Sequence, residues 1–450
     1  ITTTRLSEKI NKLKYFQPFS DLKTDKPSLT KRSNYINFAL LLLFMSYPLI
    51  GCESGGTVGS GIDSNTDDVV VDSYDIAEAV VLNENTFSGR LTNTMAGYVV
   101  DPIYGTIRSS ALLKPVISQA ERDSILDDDK MFLKIVFRDE IIGNPSAQSH
   151  YDIYEAANVW RGTQLRYNQE TPINFSNKVG EFQVTDEDSI NVELSSDWTQ
   201  NFANYFNNQL ANRDSLYRNN FPGIAIVPSE NNQNMRFIKT GREADQTDMV
   251  ISSFFIQSPI DDVDEEEDDD EGEDEETEED DGITLLALRD WGSLFLRTDI
   301  SQQNSDFVLH NTESVLEITP NVPFDQFTST NIVNAQLILT KNKVFEQSDP
   351  DFERISPDLI QVHVFNELPN DLMAEIYIKD PNFFSVIEDD EDSFKIDITQ
   401  FIMNQVYGEE TGEKLYVTTQ LIDGLLYSTQ FYGLDAPDDL KPRIVITTIR

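Results

Sequence analysis

The sequence predicts a mostly β protein, arranged as tandem jelly-roll-like β-sandwich units that each carry one short amphipathic helix. Two observations predict it. Apolar and polar residues alternate with period two in short runs between turn residues, and the same order of elements is met twice along the chain.

The runs are taken in order. Met131, Leu133, Ile135 and Phe137 alternate with Phe132, Lys134 and Val136, and Ile190, Val192 and Leu194 alternate with Asn191 and Glu193. Successive strand side chains point to opposite faces, so this spacing places one apolar set on a core. Further runs of the same kind begin at Gly223, Asp248, Asn334, Leu359 and Pro442. Few long helical patterns lie between them, as expected of a sandwich or jelly roll.

The repeat is one of order. In the first half the strand DSINVEL leads into a helix carrying Trp198, Phe202, Tyr205 and Phe206, followed by FPGIAIV, NMRFIKTG and DMVISSFFI. In the second half DSFKIDI leads into a helix carrying Phe401, Ile402 and Val406, followed by KLYVTTQ, LLYSTQFYG and PRIVITTI. Between them, positions 261–281 hold 18 acids in 21 residues, from which no core can be built. The expected division is therefore a signal peptide over 1–51, a tether over 52–70, a first sandwich over 71–260, an acidic linker or loop over 261–282, and a second sandwich over 283–450. Glu267, Asp269, Glu271, Gly272 and Glu278 fall on the spacing of a calcium loop. Without flanking amphipathic helices they imply weak calcium binding at most, and no other cofactor is expected.

The first 35 residues carry eight Lys or Arg against three acids, and a run of 13 mostly apolar residues follows from Phe38 to Ile50. Basic then apolar is the order of a signal peptide, and the run falls short of the roughly 20 residues that cross a bilayer as a helix. It ends in Leu49-Ile50-Gly51-Cys52, which resembles a bacterial lipobox. Cys52, the single cysteine of the chain, is then the acceptor of diacylglycerol. Each buried acyl methylene contributes about 0.8 kcal/mol, so several chains would hold the protein at a membrane. By resemblance to enteric lipoproteins, Glu53 in place of a retaining Asp implies the outer membrane of a Gram-negative cell.

Gly97, Asp101, Pro102, Tyr104 and Gly105 form the element GYxxDPxYG, in which Asp-Pro and Gly read as a turn between strands. On this element, on FPGIAIVPSENNQNMRFIKTG and on the closing KPRIVITTI, the chain resembles a Bacteroidetes family of surface lipoproteins known only as a domain of unknown function. The second half is also similar to carbohydrate-binding β-sandwich modules, which end in a like PRLxI strand. The resemblance implies a surface location and assigns no catalytic residue.

Composition excludes some chemistry. A formal net charge of -45 opposes a phosphate-binding surface, so no nucleic-acid partner is expected. One cysteine makes neither a disulfide nor a zinc site. The metalloprotease, hydrolase-elbow, phosphate-loop and dinucleotide motifs do not occur. His150, His310 and His363 lie outside any nucleophile motif and read as structural. Trp198 reads as core, whereas Trp160 and Trp291 are candidate stacking faces for a sugar. The expectation is a non-enzymatic lipoprotein of the outer membrane, displayed at the cell surface, that binds a glycan or an envelope protein. A surface polysaccharide hydrolase with a carboxylate pair, and a structural subunit of an envelope complex, are the alternatives.

Overall fold

The computed structural model describes residues 69–117, 122–169, 173–242, 250–259, 282–298, 305–327, 332–343, 351–387, 391–408, 412–419 and 423–449. Cys52, the leader, the tether up to residue 68 and the acidic run at 261–281, with its calcium spacing at Glu267, Asp269, Glu271 and Glu278, lie outside the described residues. Among the described residues no helix is long and apolar enough to cross a membrane.

The chain is mostly β, as predicted. The first half holds β1 (Val69–Asn83), β2 (Asn93–Asp101), β3 (Gly105–Pro115), β4 (Lys130–Gly143), β5 (Ser149–Ala156), β6 (Ile173–Val184) and β7 (Ser189–Glu193). After these come α1 (Ser196–Phe206), α2 (Arg213–Asn220), β8 (Ile224–Pro228), β9 (Asn234–Lys239) and β10 (Ser253–Gln257). The second half opens with β11 (Ile283–Leu286), β12 (Leu288–Thr298), β13 (Phe307–His310), β14 (Ser314–Pro320), β15 (Ile332–Thr340) and β16 (Leu359–His363). It closes with α3 (Leu372–Ile378), β17 (Phe383–Val386), β18 (Ser393–Asp397), α4 (Thr399–Tyr407), β19 (Leu415–Thr419), β20 (Ser428–Phe431) and β21 (Arg443–Ile449).

The two halves repeat strand for strand. In the first, β7 and β10 flank β4, β8 lies between β3 and β5, and β6 pairs with β5. In the second, β18 and β21 flank β15, β19 lies between β14 and β16, and β17 pairs with β16. The repeated order in the sequence is therefore also a repeated topology. Among the described strands all pairings are antiparallel, and each sheet curls because one strand serves two neighbours in succession. β4 pairs through Lys130–Lys134 with β10, then through Phe137 and, beyond a shift in register, Ile141–Gly143 with β9. Such bulges bend a strand and raise its twist, which lets one sheet fold back over a core.

Sheet membership corrects the expected domain boundaries. β1, placed in the first unit by its position, pairs through Val69–Asp75 with β21 and through Ile76–Asn83 with β14, both in the second half. Conversely β11 pairs with β10, and β12 runs along β3, both in the first half. Each half thus lends its opening strand to the other, and a cut at the acidic run does not separate two independent sandwiches. The physical reason is that strand pairing is set by non-local edges, which period two does not encode.

The helices show a second difference. Among the described residues each half has two short helices instead of the one expected. In α1 the residues Trp198, Phe202 and Phe206 recur every fourth position and are buried, with Trp198 stacked on Phe202 and Phe254. In α4, Phe401 and Ile402 are buried, and Gly408 ends the helix in the left-handed conformation. The unpredicted α2 buries only Tyr217, and α3 is a seven-residue turn capped by Asp371, whose carboxylate accepts the Ala374 N–H at 3.0 Å.

The GYxxDPxYG element forms the β2–β3 hairpin. Asp101 Oδ1 accepts the N–H groups of Ile103 (2.7 Å) and Tyr104 (3.0 Å), and Gly105 takes a positive φ of 85°. The same carboxylate receives Arg354 from the second half in a forked pair, Nε to Oδ2 at 2.9 Å and Nη2 to Oδ1 at 3.1 Å. Around it Met95, Val99, Ile107, Met235, Phe237 and Phe295 share an apolar seam with Leu425 and Leu426. Arg297 of β12 adds a bond to the Tyr104 carbonyl (2.8 Å) and a pair with Glu313 (2.7 Å). Asp101→Ala would leave Arg354 buried without its partner, and we expect a loss of roughly 3–5 kcal/mol in urea unfolding. Arg354→Met, which keeps volume without a charge, would cost less if Asp101 retains its two backbone donors.

Candidate functional site

The clefts and the three histidines are where chemistry would sit. His150 is exposed at the start of β5 and lines a cleft of about 290 Å³ with Tyr151, Asp152, Ser229 and Asn231. The residue types of a nucleophilic triad therefore meet there, but they are not wired as one. Asp152 holds Lys178 (2.7 Å) and the Tyr154 hydroxyl (3.2 Å), and the Ser229 hydroxyl accepts the Asn231 N–H (3.3 Å). Among the described residues no hydrogen bond joins the His150 ring to either.

His310 and His363 are buried. His310 Nδ1 lies 2.8 Å from the Ser428 hydroxyl, and the edge of Tyr104 meets its ring at the seam. Burial drives its pKa well below the ordinary value, with the nearby Arg297 charge acting the same way. His363 stacks on Phe365, its Nε2 is without a partner, and burial lowers its pKa to about 4. Both imidazoles are therefore neutral at pH 7.

A second cleft, of about 430 Å³, opens beside the end of β15, where Lys343 pairs with Asp392 near Tyr432. The third has the most distinctive chemistry. It is about 290 Å³ in volume and is lined by Val159, Trp160, Arg161, Gln164, Leu165, Gln169 and Asn219. Its lip is formed by residues 159–169, which are tied down from several sides. The Ser88 N–H donates to the Leu165 carbonyl (3.0 Å), the Tyr167 N–H to Thr86 (3.1 Å), and the Phe295 N–H to Tyr167 (2.9 Å). Asp290 Oδ1 accepts the Gly162 N–H at 3.0 Å, and the Gly89 backbone approaches so closely that a Cβ there would sit 1.9 Å from the Gly162 oxygen. A lip pinned in this way is preorganised, so a ligand need not order it.

Beside the cleft lies an ionic cluster, buried at Lys114 and Asp290 and open to solvent at Arg90, Asp214 and Arg218. Lys114 of β3 faces Asp290 of β12 across the strand pair and is fully buried, with its Nζ unpartnered and 5.0 Å from the centre of the Tyr217 ring. Asp290 takes Arg90 (3.1 Å), while Arg289 joins Asp214 (2.8 Å), which also holds Arg218 (2.6 Å). Those arginines keep the Asp214 carboxyl below its usual range, the Arg218 hydrogen bond foremost. Burial lowers the Lys114 pKa to about 8, Asp290 opposes that shift, and the Arg289 and Arg161 charges add to it.

The two tryptophans proposed as stacking faces converge on this region. Trp160 borders the cleft, but only 5% of it is exposed and its Nε1 donates to the Pro222 carbonyl at 2.7 Å. Trp291 is half-buried against the first core, with Nε1 donating to Leu91 at 2.6 Å. Trp160 is therefore too enclosed to present an open ring face. What the sequence reading missed is Arg161 beside Trp160 and the orphan amine of Lys114. The alternation of β3, apolar on both sides of a lysine, was the available signal. No protein-family model matches the chain, and no curated protein matches it at a significant level.

Lys114→Met should stabilise the protein at pH 7 by about 1–3 kcal/mol, because it removes a cation whose burial is only partly compensated. The unfolded chain binds this proton more tightly between pH 8 and 10.5, so wild-type stability should rise with pH across that window and the variant's should not. For His363 the folded pKa of about 4 lies below the unfolded 6.5, so stability should fall as pH drops through that interval. His363→Phe should flatten this acid limb by roughly 2–3 kcal/mol in denaturant titrations at pH 4.5 and 7.

Proposed function

We propose that this chain is a lipid-anchored protein of the outer membrane, displayed at the cell surface, whose interlocked β body binds a glycan and does not turn it over. The single observation that carries binding is the pinned cleft at Trp160 and Arg161: a rigid concavity whose lip is held by the scaffold and whose amides at Gln164, Gln169 and Asn219 are exposed. Ligand sites of this kind gain affinity by spending little on ordering. The sequence resemblance of the second half to carbohydrate-binding sandwich modules points to the same ligand class for the chain, while the cleft itself lies in the first half. The order of basic segment, short apolar run and Leu49-Ile50-Gly51-Cys52 supports the anchor.

Two measurements test the reading. Cys52→Ala expressed with labelled palmitate should lose the label and accumulate as the uncleaved precursor, and a labelled, processed variant would remove the lipid anchor from the proposal. Wild-type protein purified in detergent should be retained on immobilised cell-surface polysaccharide. An equimolar protein partner from native membranes, with no glycan retained, would favour an assembly subunit instead.

A further inference from the structure

Arg161 stands out against the charge of the whole chain. Acids outnumber Lys and Arg 79 to 34, yet among the described residues the Arg161 guanidinium meets no carboxylate. Its one bond runs from Nη2 to the Asn219 side-chain oxygen at 3.0 Å, which holds the group at the cleft wall. Near it Lys114, Arg90, Arg289 and Arg218 gather against Asp290 and Asp214, so cations outnumber anions within this cluster. Lys114 is uncompensated by any hydrogen bond and costs stability where it stands. A cationic recess in a strongly anionic body attracts an anion and focuses its approach.

The lining narrows the anion's chemistry. A guanidinium matches a planar carboxylate in two-point fashion, and the neighbouring amides of Gln164, Gln169 and Asn219 suit hydroxyl groups, while Trp160 and Leu165 supply an apolar wall. A volume of about 290 Å³ lies at the small end of ligand pockets, the size of a single ring and not of a long chain. We propose that this cleft binds the carboxylate-bearing ring of an acidic, uronate-containing glycan, with Arg161 as the carboxylate's partner. The inference rests on the glycan-binding reading and adds the chemical class of the sugar.

The test is calorimetry on the full chain with uronate trisaccharides (galacturonate, glucuronate and mannuronate), the corresponding methyl esters, and inorganic phosphate. At least one acid should bind, its ester at least tenfold more weakly, and Arg161→Ala should lower affinity for the acid at least tenfold with unchanged thermal unfolding. Lys114→Met, which lies beside the cleft and is expected to fold more stably, should weaken the acid severalfold and the ester not at all. Equal binding of acid and ester, or indifference to Arg161→Ala, would overturn the uronate site and leave glycan binding standing. Phosphate bound as tightly as the best trisaccharide would show a plain anion site and overturn it too. Failure of all three acids, with retention on neutral polysaccharide intact, would overturn the site alone, whereas loss of both would remove the glycan reading as well.

Discussion

The reciprocal exchange of opening strands is the constraint on which the rest of this molecule depends. β1 completes the second sheet by bridging β21 and β14, while β11 and β12 complete the first by lying along β10 and β3. Neither core is closed without a strand delivered from the other half. In a two-domain protein with an ordinary linker, domains can move because their interface is small and polar. Here each crossing is a run of backbone hydrogen bonds, and the seam between the crossings is filled by Met95, Phe237, Phe295 and Leu425 around the Asp101–Arg354 pair.

That exchange also places the candidate site. β12 brings Asp290 opposite Lys114 and its backbone against the lip, so the cleft at Trp160 is assembled partly by a strand that the first half borrows. The site combines a rigid frame with an energetic cost. Lys114 is held without a hydrogen bond among aromatic faces, the Asp290 carboxylate and the charges of Arg289 and Arg161. Stability lost at one buried group is the familiar accompaniment of a position kept for its charge.

What could be read in advance followed what is local. Strands appeared wherever apolar residues recur at every second position, as at Met131–Phe137, and α1 appeared in the fourfold spacing of Trp198, Phe202 and Phe206. The turn at Asp101-Pro102 was legible because those residues set backbone geometry by themselves. The second role of Asp101, receiving Arg354 from a segment far along the chain, was not. α2 escaped because it buries one side chain, so it lacks an apolar stripe. The allegiance of β1 escaped because its alternation fits either half equally well. At the cleft, Trp160 was visible as an aromatic, but its burial and the lone charge of Arg161 depend on neighbours that only folding supplies.

The pairing of β1 with β21 carries a consequence for biosynthesis. Val69 faces Ile449, so a strand that leaves the ribosome early stays without its hydrogen-bonding partner until the far end of the chain has been made. Its alternate residues Val69 and Val71 are apolar and outward, and an unpaired strand of that kind invites adhesion to other chains. The first half can gather β2 to β10 in the meantime, yet it too waits, for β11 and β12, before its sheet is whole. Maturation is therefore a late, collective event that joins an early strand to a late one, and a nascent chain would need shielding until then.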